Sequence, residues 1–185
     1  MLSARDALDP PPRRILVAGV AGSGKTTLAG RIAERTGIPH TEIDGLQHGA
    51  NWEPRPEFAG DVERFTRADR WITEWQYRDV RPLLATRADT LIWLDLPVGL
   101  TMRRVIRRTL RRRLRREPLW NGNVEGPLWR FFTDRDHIIR WAWRTQRTWG
   151  EHVAEAAAAH PQLRIIRLTS TADVEAFLAR LSGTP

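Results

Sequence analysis

The segment GVAGSGKT, residues 19–26, restricts what this chain can become more than any other stretch. Gly19, Gly24, Lys25 and Thr26 fit the pattern G-x-x-x-x-G-K-[ST], and the flanks supply the context that pattern needs. Ile15 to Ala18 form a short continuous apolar run, the signature of a buried parallel strand. After Lys25, Leu28, Ile32 and Ala33 recur at helical spacing, and Gly37 followed by Pro39 stops the helix. A strand, a glycine loop and a helix in that order make a phosphate cradle. Glycines let successive backbone N–H groups turn onto phosphate oxygens without a Cβ in the way, and the helix N-terminus adds partial positive charge. The residues expected to hold a nucleotide are Gly19, Ala21, Gly22, Ser23, Gly24, Lys25, Thr26 and Thr27. Lys25 is expected to reach the β- and γ-phosphates, and the Thr26 hydroxyl to ligate Mg²⁺.

Composition makes that lysine more informative. Of 30 basic residues it is the only lysine; the other 29 are arginine. Wherever the chain needed only positive charge it used a guanidinium, and here it needed a compact ammonium on a flexible stem. Charge is also unevenly placed. Residues 99–147 hold 14 arginines against four acidic residues, more than the whole net charge of +8. The positive field is a local device. With no cysteine, disulfides and thiolate metal sites are excluded. No apolar run approaches the roughly 20 residues that a membrane span needs, and a cytoplasmic protein is expected.

One domain suits 185 residues. Residues 1–12 read as a flexible tail that LDPPPRR (8–14) leads into the domain, 13–181 as the domain and 182–185 as a frayed terminus. Further strands are expected at HTEID (40–44), RWITEW (70–75), TLIWLDLP (90–97) and LRIIRLTS (163–170), with helical stretches between them. Five strands in β-α-β-α order predict an α/β fold with a doubly wound parallel sheet. Ligands of such sheets lie outside the strand C-termini, where Asp44, Glu74, Asp95 and Ser170 fall. A guanine-specific GTPase would need a second lysine for its N-K-x-D element, and no LSGGQ stretch is present. A small ATP- and Mg²⁺-dependent phosphotransferase remains, monomeric or homodimeric, acting on a small-molecule acceptor. A nucleotide-hydrolysing switch and an arginine-rich nucleic-acid binder are the alternatives.

Five stretches carry a closer likeness: GVAGSGKTTLA, EIDGLQHGANWEPRP, WITEWQY, LIWLDLP and RRTLRRRLRREPLWNGN. With them the chain resembles the adenylate-kinase-like P-loop kinases, particularly the small bacterial branch labelled DNA topology modulation protein-related. The likeness runs from residue 13 to about 181 and implies a kinase fold and phosphoryl transfer, but no substrate. Many relatives end the third strand in Asp-Gly, where this chain has Glu74-Trp75.

Asp44 is the candidate general base for an acceptor hydroxyl, or a water-mediated Mg²⁺ contact, or an acidic helix cap. Glu74 is the alternative metal-side carboxylate. His48 contacts substrate or is merely solvated; Trp52, in a proline-rich insertion at about 45–69, stacks on a ring or packs. The resemblance implies that Gln76, Tyr77 and Arg78 lie where the acceptor is held, with Arg78 suited to an acceptor phosphate. It also implies a mobile lid over about 99–147 whose Arg104 and Arg108 clamp the transferring phosphoryl group. Ile106, Leu110 and Leu114 give the first lid helix an apolar stripe. Nine arginines between Arg103 and Arg116 exceed what catalysis uses; the rest are solvated, paired, or bound to another anion. Nucleic-acid binding is expected to be weak or nil. Trp141, Trp149 and Ile138 are read as core residues of a further helix.

Overall fold

A computed structural model describes residues 1–115, 117–123 and 148–181. In chain order its elements are β1 (Arg14–Gly19), α1 (Lys25–Thr36), α2 (Ile43–Gln47), α3 (Phe58–Phe65) and β2 (Trp71–Glu74). Then come α4 (Arg81–Arg87), β3 (Thr90–Leu94), α5 (Val98–Arg115), α6 (Thr148–Ala159), β4 (Arg164–Leu168) and α7 (Thr171–Leu181). The strands form one sheet in the order β2-β1-β3-β4, every neighbouring pair parallel.

Alternation along the strands divides the core in two. Leu16, Ala18, Trp71, Leu91 and Ile165 face Val62, Leu84 and Val153 of α3, α4 and α6. Ile15, Val17, Ile72, Ile92 and Ile166 face Leu28, Ile32 and Phe177 of α1 and α7. Apolar residues on both faces require helices on both faces, and this is the doubly wound arrangement. The ends of β1, β2 and β3 then open on one edge, where the glycine loop, Glu74 and Asp95 emerge. Asp95 is engaged by the guanidinium of Arg167, which joins the ends of β3 and β4.

The sheet has four strands among the described residues, where five are expected from the sequence. The stretch at 40–44 begins as a strand, with a parallel bridge between His40 and Ile72, and then leaves the sheet. The Ile43 N–H donates to Glu74 Oε2 at 3.1 Å, and from that residue the chain turns into α2. A buried carboxylate captures the donor with which a longer strand would continue. At the opposite edge, where a flexible tail is expected, Leu2 pairs with β4 through Leu2 N–H to Ile165 O and Arg167 N–H to Leu2 O. The open edge of β4 offers those backbone groups a partner, and Ala4 is buried behind it.

The apolar stripe expected on α5 points the other way. Ile106, Leu110 and Leu114 are exposed by 40%, 41% and 79%, and the buried residues of the helix are Thr101, Val105 and Thr109. The reason is the surface beneath. A Cβ on Gly22 would lie 2.5 Å from both Thr101 O and Val105 Cγ2, so the helix backbone rests directly on the glycine loop. Only small side chains fit so close an approach.

Candidate active site

Lys25 opens α1 at the floor of the site, and its Nζ donates to the carbonyls of Gly19 at 2.9 Å and Val20 at 3.2 Å. The side chain is buried, with Trp149 5.9 Å away. Burial pulls its pKa down from 10.5 to about 8, against the opposing pull of Asp44 and Glu74; Arg108 adds to the lowering. Gly24 caps α1 in the left-handed conformation, and the nearest atom to a Cβ there would be an Arg104 guanidinium nitrogen, 3.9 Å off. Ser23 Oγ is buried without a hydrogen-bond partner among the described residues. A turned loop at a helix N-terminus, with a buried hydroxyl left unpaired and an ammonium beside it, fits a polyphosphate. Next to it lies a cavity of about 200 Å³ lined by Thr27 and Leu28 of α1, Leu96, and Thr171 and Val174 of α7.

The two carboxylates have different surroundings. Glu74, at the end of β2, is almost fully buried, accepts from the Ile43 N–H and lies 3.2 Å from His40 Nε2, with the Thr26 hydroxyl near enough to help lower its pKa. Burial alone would raise its pKa, but the bonds from His40, Ile43 and Thr26 outweigh that and hold it below the usual carboxylate range. It is therefore a carboxylate favoured in its charged form near the N-terminal end of α1, beside Thr26. Asp44 sits in the first turn of α2. Its Oδ1 accepts from Gln76 Nε2 at 3.0 Å and from the Tyr77 hydroxyl at 2.6 Å. No hydrogen bond to Oδ2 is made among the described residues.

Aromatic side chains from three segments gather around Asp44. His48 Nε2 is 3.0 Å from Tyr77 Oη, and the His48 ring lies 5.2 Å from Trp52 and 6.4 Å from Trp120. The turn Trp120–Gly122 and Asn123, which follow α5, are fastened to the insertion. Trp120 Nε1 donates to Glu42 Oε2 at 2.7 Å, and Asn121 Nδ2 to His48 O. Asn123 accepts from the Trp52 N–H at 3.0 Å and donates to Gly49 O at 2.8 Å. Trp120 also covers Gly45, where a Cβ would come within 3.0 Å of its ring.

The arginines of α5 differ in exposure. Arg104, Arg108 and Arg112 are half-buried in a row four residues apart, with Arg113 half-buried beside them, while Arg103, Arg107, Arg111 and Arg115 are exposed. Arg104 donates to Ser23 O at 3.3 Å, and Arg108 is close enough to Lys25 to affect its charge. Arg111 pairs with Glu117 at 3.2 Å.

The structure thus brings together Lys25, Thr26, Asp44, Glu74, Gln76, Tyr77, Arg104 and Arg108. Arg78 is exposed beyond the group, and the part of the expected lid from 124 to 147 lies outside the described residues. His40, Glu42, Asn121 and Asn123 belong to the site without having been singled out in the sequence. For Asn121 the sequence offers only the Asn-Gly pair of WNG (120–122), which the structure shows as a 3₁₀ turn with the asparagine at positive φ, like Asn51 in ANW (50–52).

No protein-family model matches the chain, and no curated protein does. Among solved structures, it is similar to a gluconokinase from Sinorhizobium meliloti 1021, with 21% identity and a TM-score of 0.52, over 92% of this chain and 94% of that one. A shikimate kinase from Acinetobacter baumannii, solved in complex with shikimate, matches with 16% identity and a TM-score of 0.50, over 92% and 91%. At these identities the likeness establishes the P-loop kinase fold.

Proposed function

We propose that the protein is an adenylate-kinase-like P-loop kinase that transfers the γ-phosphoryl group of ATP to a hydroxyl of a small-molecule acceptor. The observation that carries this reading is the division between the two carboxylates: Glu74 is buried and held by His40 and Ile43 near Thr26, whereas both hydrogen bonds to Asp44 among the described residues fall on one oxygen. The glycine loop and Lys25 hold the polyphosphate. Thr26 would hold Mg²⁺, with Glu74 beside it, and the bound ion would neutralise charge on the β- and γ-phosphate oxygens. Asp44 Oδ2 accepts the proton of the acceptor hydroxyl as its oxygen bonds to the γ-phosphorus and the bond to the β-phosphate oxygen breaks. Arg104 and Arg108 stabilise charge on the transferring group, as lid arginines. The cavity between α1 and α7 takes the adenine.

The acceptor is a nucleoside, a nucleotide, a sugar acid or another hydroxyl compound. Structures similar in fold are named for gluconate and shikimate kinases, which supports starting with small hydroxy acids. The test is a ³¹P-monitored screen of hydroxyl compounds with ATP and Mg²⁺. A phosphorylated product that forms only with both is expected. ATP consumption without product across the panel, or DNA binding that survives physiological salt and the change Lys25→Met, would replace this reading with a hydrolase or a nucleic-acid binder.

A further inference from the structure

Tyr77 and His48 both lie where an acceptor would be held, yet Tyr77 Oη and His48 Nε2 are spent on each other and on Asp44. A phenol has one proton to donate, and that of Tyr77 goes to Asp44 Oδ1. The Tyr77 oxygen can then only accept from His48 Nε2, 3.0 Å away, so the neutral imidazole carries its proton on Nε2. His48 Nδ1 is buried and makes no hydrogen bond among the described residues, which agrees with a bare nitrogen there. Gln76 adds a second donor to the same carboxylate oxygen.

From this geometry we infer that Tyr77 and His48 are positioning residues for Asp44: they fix the carboxylate by one oxygen and leave the other toward the acceptor, and they do not bind the acceptor themselves. The inference rests on the kinase reading above and assigns the residues within it. Three further features hold the relay in place. Tyr77 has φ +57°, a left-handed backbone that is costly for an aromatic residue, and its carbonyl accepts from Val80 and Arg81 at 3.1 Å each. Its ring packs edge-on against Phe58, with centroids 5.2 Å apart. The His48 carbonyl is held by Asn121, and that of Gly49 by Asn123. The turn at the end of the arginine helix therefore reaches Asp44 through His48 and Tyr77. Asn51, Trp52 and Asn121 also have positive φ, in the turns on either side of the contact between the insertion and the segment after α5.

Tyr77→Phe keeps the ring, its packing and the backbone, and removes only the hydroxyl. With the acceptor found in the screen, kcat is expected to fall by about tenfold to a hundredfold, the size of effect produced by misplacing a reacting group, while the acceptor KM stays within about twofold. Adding Tyr77→Phe to Asp44→Asn is expected to lower kcat no further, because the two act as one unit. His48→Ala should reproduce part of the Tyr77→Phe loss, and His48→Gln, which restores an N–H donor, should recover it. A raised acceptor KM with intact kcat would place Tyr77 on the substrate and overturn the relay, as would losses that multiply in the double variant.

A second measurement keeps the relay separable from the kinase reading. Two-bond ¹H–¹⁵N spectra of the imidazoles need neither ATP nor acceptor. They are expected to show His48 protonated on Nε2 in the wild type, with that preference lost in Tyr77→Phe. If the screen finds no acceptor and this tautomer is present, the kinase reading fails and the relay stands. A wild-type His48 protonated on Nδ1 alone overturns the relay, whatever the activity.

Discussion

The nucleotide side and the acceptor side of the site are built from different material. The first, as proposed, is a continuous stretch, Gly19 to Thr27, that would hold a polyphosphate mostly through backbone N–H groups and one lysine. The second draws side chains from α2, the insertion at 48–52, the end of β2 and the turn after α5. A backbone cradle depends on conformation and tolerates any side chain that permits the turn. A side-chain constellation depends on several segments arriving together, so each member is replaceable only by something of the same reach and polarity. Binding of a common cofactor suits the first design, and choice among acceptors suits the second.

The largest expected effect lies on the nucleotide side. Lys25→Met should abolish phosphoryl transfer, yet the protein should be no less stable, because a buried ammonium is removed. The pH dependence shows why. The folded-state pKa of about 8 lies below the ordinary 10.5, so between these values the unfolded chain binds the proton more tightly. Burying the charge costs about 3 kcal/mol at neutral pH, and wild-type stability should rise from pH 8 towards 10.5 as that cost is relieved. Urea unfolding of wild type and variant across this range checks the sign; a difference that does not change with pH would mean the ammonium is not buried.

On the acceptor side, Asp44→Asn should lower kcat by roughly 10²–10⁴ with ATP binding unchanged. Lost ATP affinity instead would move Asp44 to the metal and blur the distinction between the two halves. Steady-state kinetics with ATP and acceptor varied in turn decide it.

The arginine helix links the two halves, and its two faces should behave differently. Arg104→Ala and Arg108→Ala should each cost about tenfold or more in kcat, since each removes a charge-assisted contact near the phosphates. Arg103→Ala and Arg107→Ala, on the exposed face, should change kcat by less than about twofold, within what a surface charge contributes. Equal losses on both faces would point to a diffuse field in place of a clamp. Arg112 shares the half-buried row and should resemble Arg108 more than Arg115.

The smallest effect should come from Asn123→Ala. It removes the bonds to Trp52 N and Gly49 O, so unfolding free energy should drop by about 1–3 kcal/mol while the ATP KM stays unchanged. A shift in the ATP KM would show that the turn also governs the nucleotide side.

Much of this site was legible before any coordinates. Strand, loop and helix around Lys25 follow from local rules, because apolar runs, glycines and helix stops act within a few residues of themselves. Gly37 ends α1 in the left-handed conformation that its position in the sequence predicts. The face of α5 was not legible in this way. Ile106, Leu110 and Leu114 form a good amphipathic stripe, but a helix lying on a glycine loop must bury Thr101, Val105 and Thr109 instead. Periodicity reports which residues share a face and says nothing of how close the opposite surface comes.

The sequence by itself therefore determined the phosphate cradle, the parallel α/β order and the concentration of arginine in one segment. Each of these is a property of neighbours along the chain or of composition. The tertiary structure decided that the strand at 40–44 gives way to α2, that Glu74 rather than Asp44 is bound up with Thr26, and that Tyr77 is committed to Asp44. It also decided which arginines face the site. Those outcomes depend on hydrogen bonds between residues about 30 to 80 positions apart, such as Ile43 to Glu74, Tyr77 to Asp44 and Arg104 to Ser23. A buried donor or acceptor must find its partner wherever the fold places one, and local pattern carries no record of that choice.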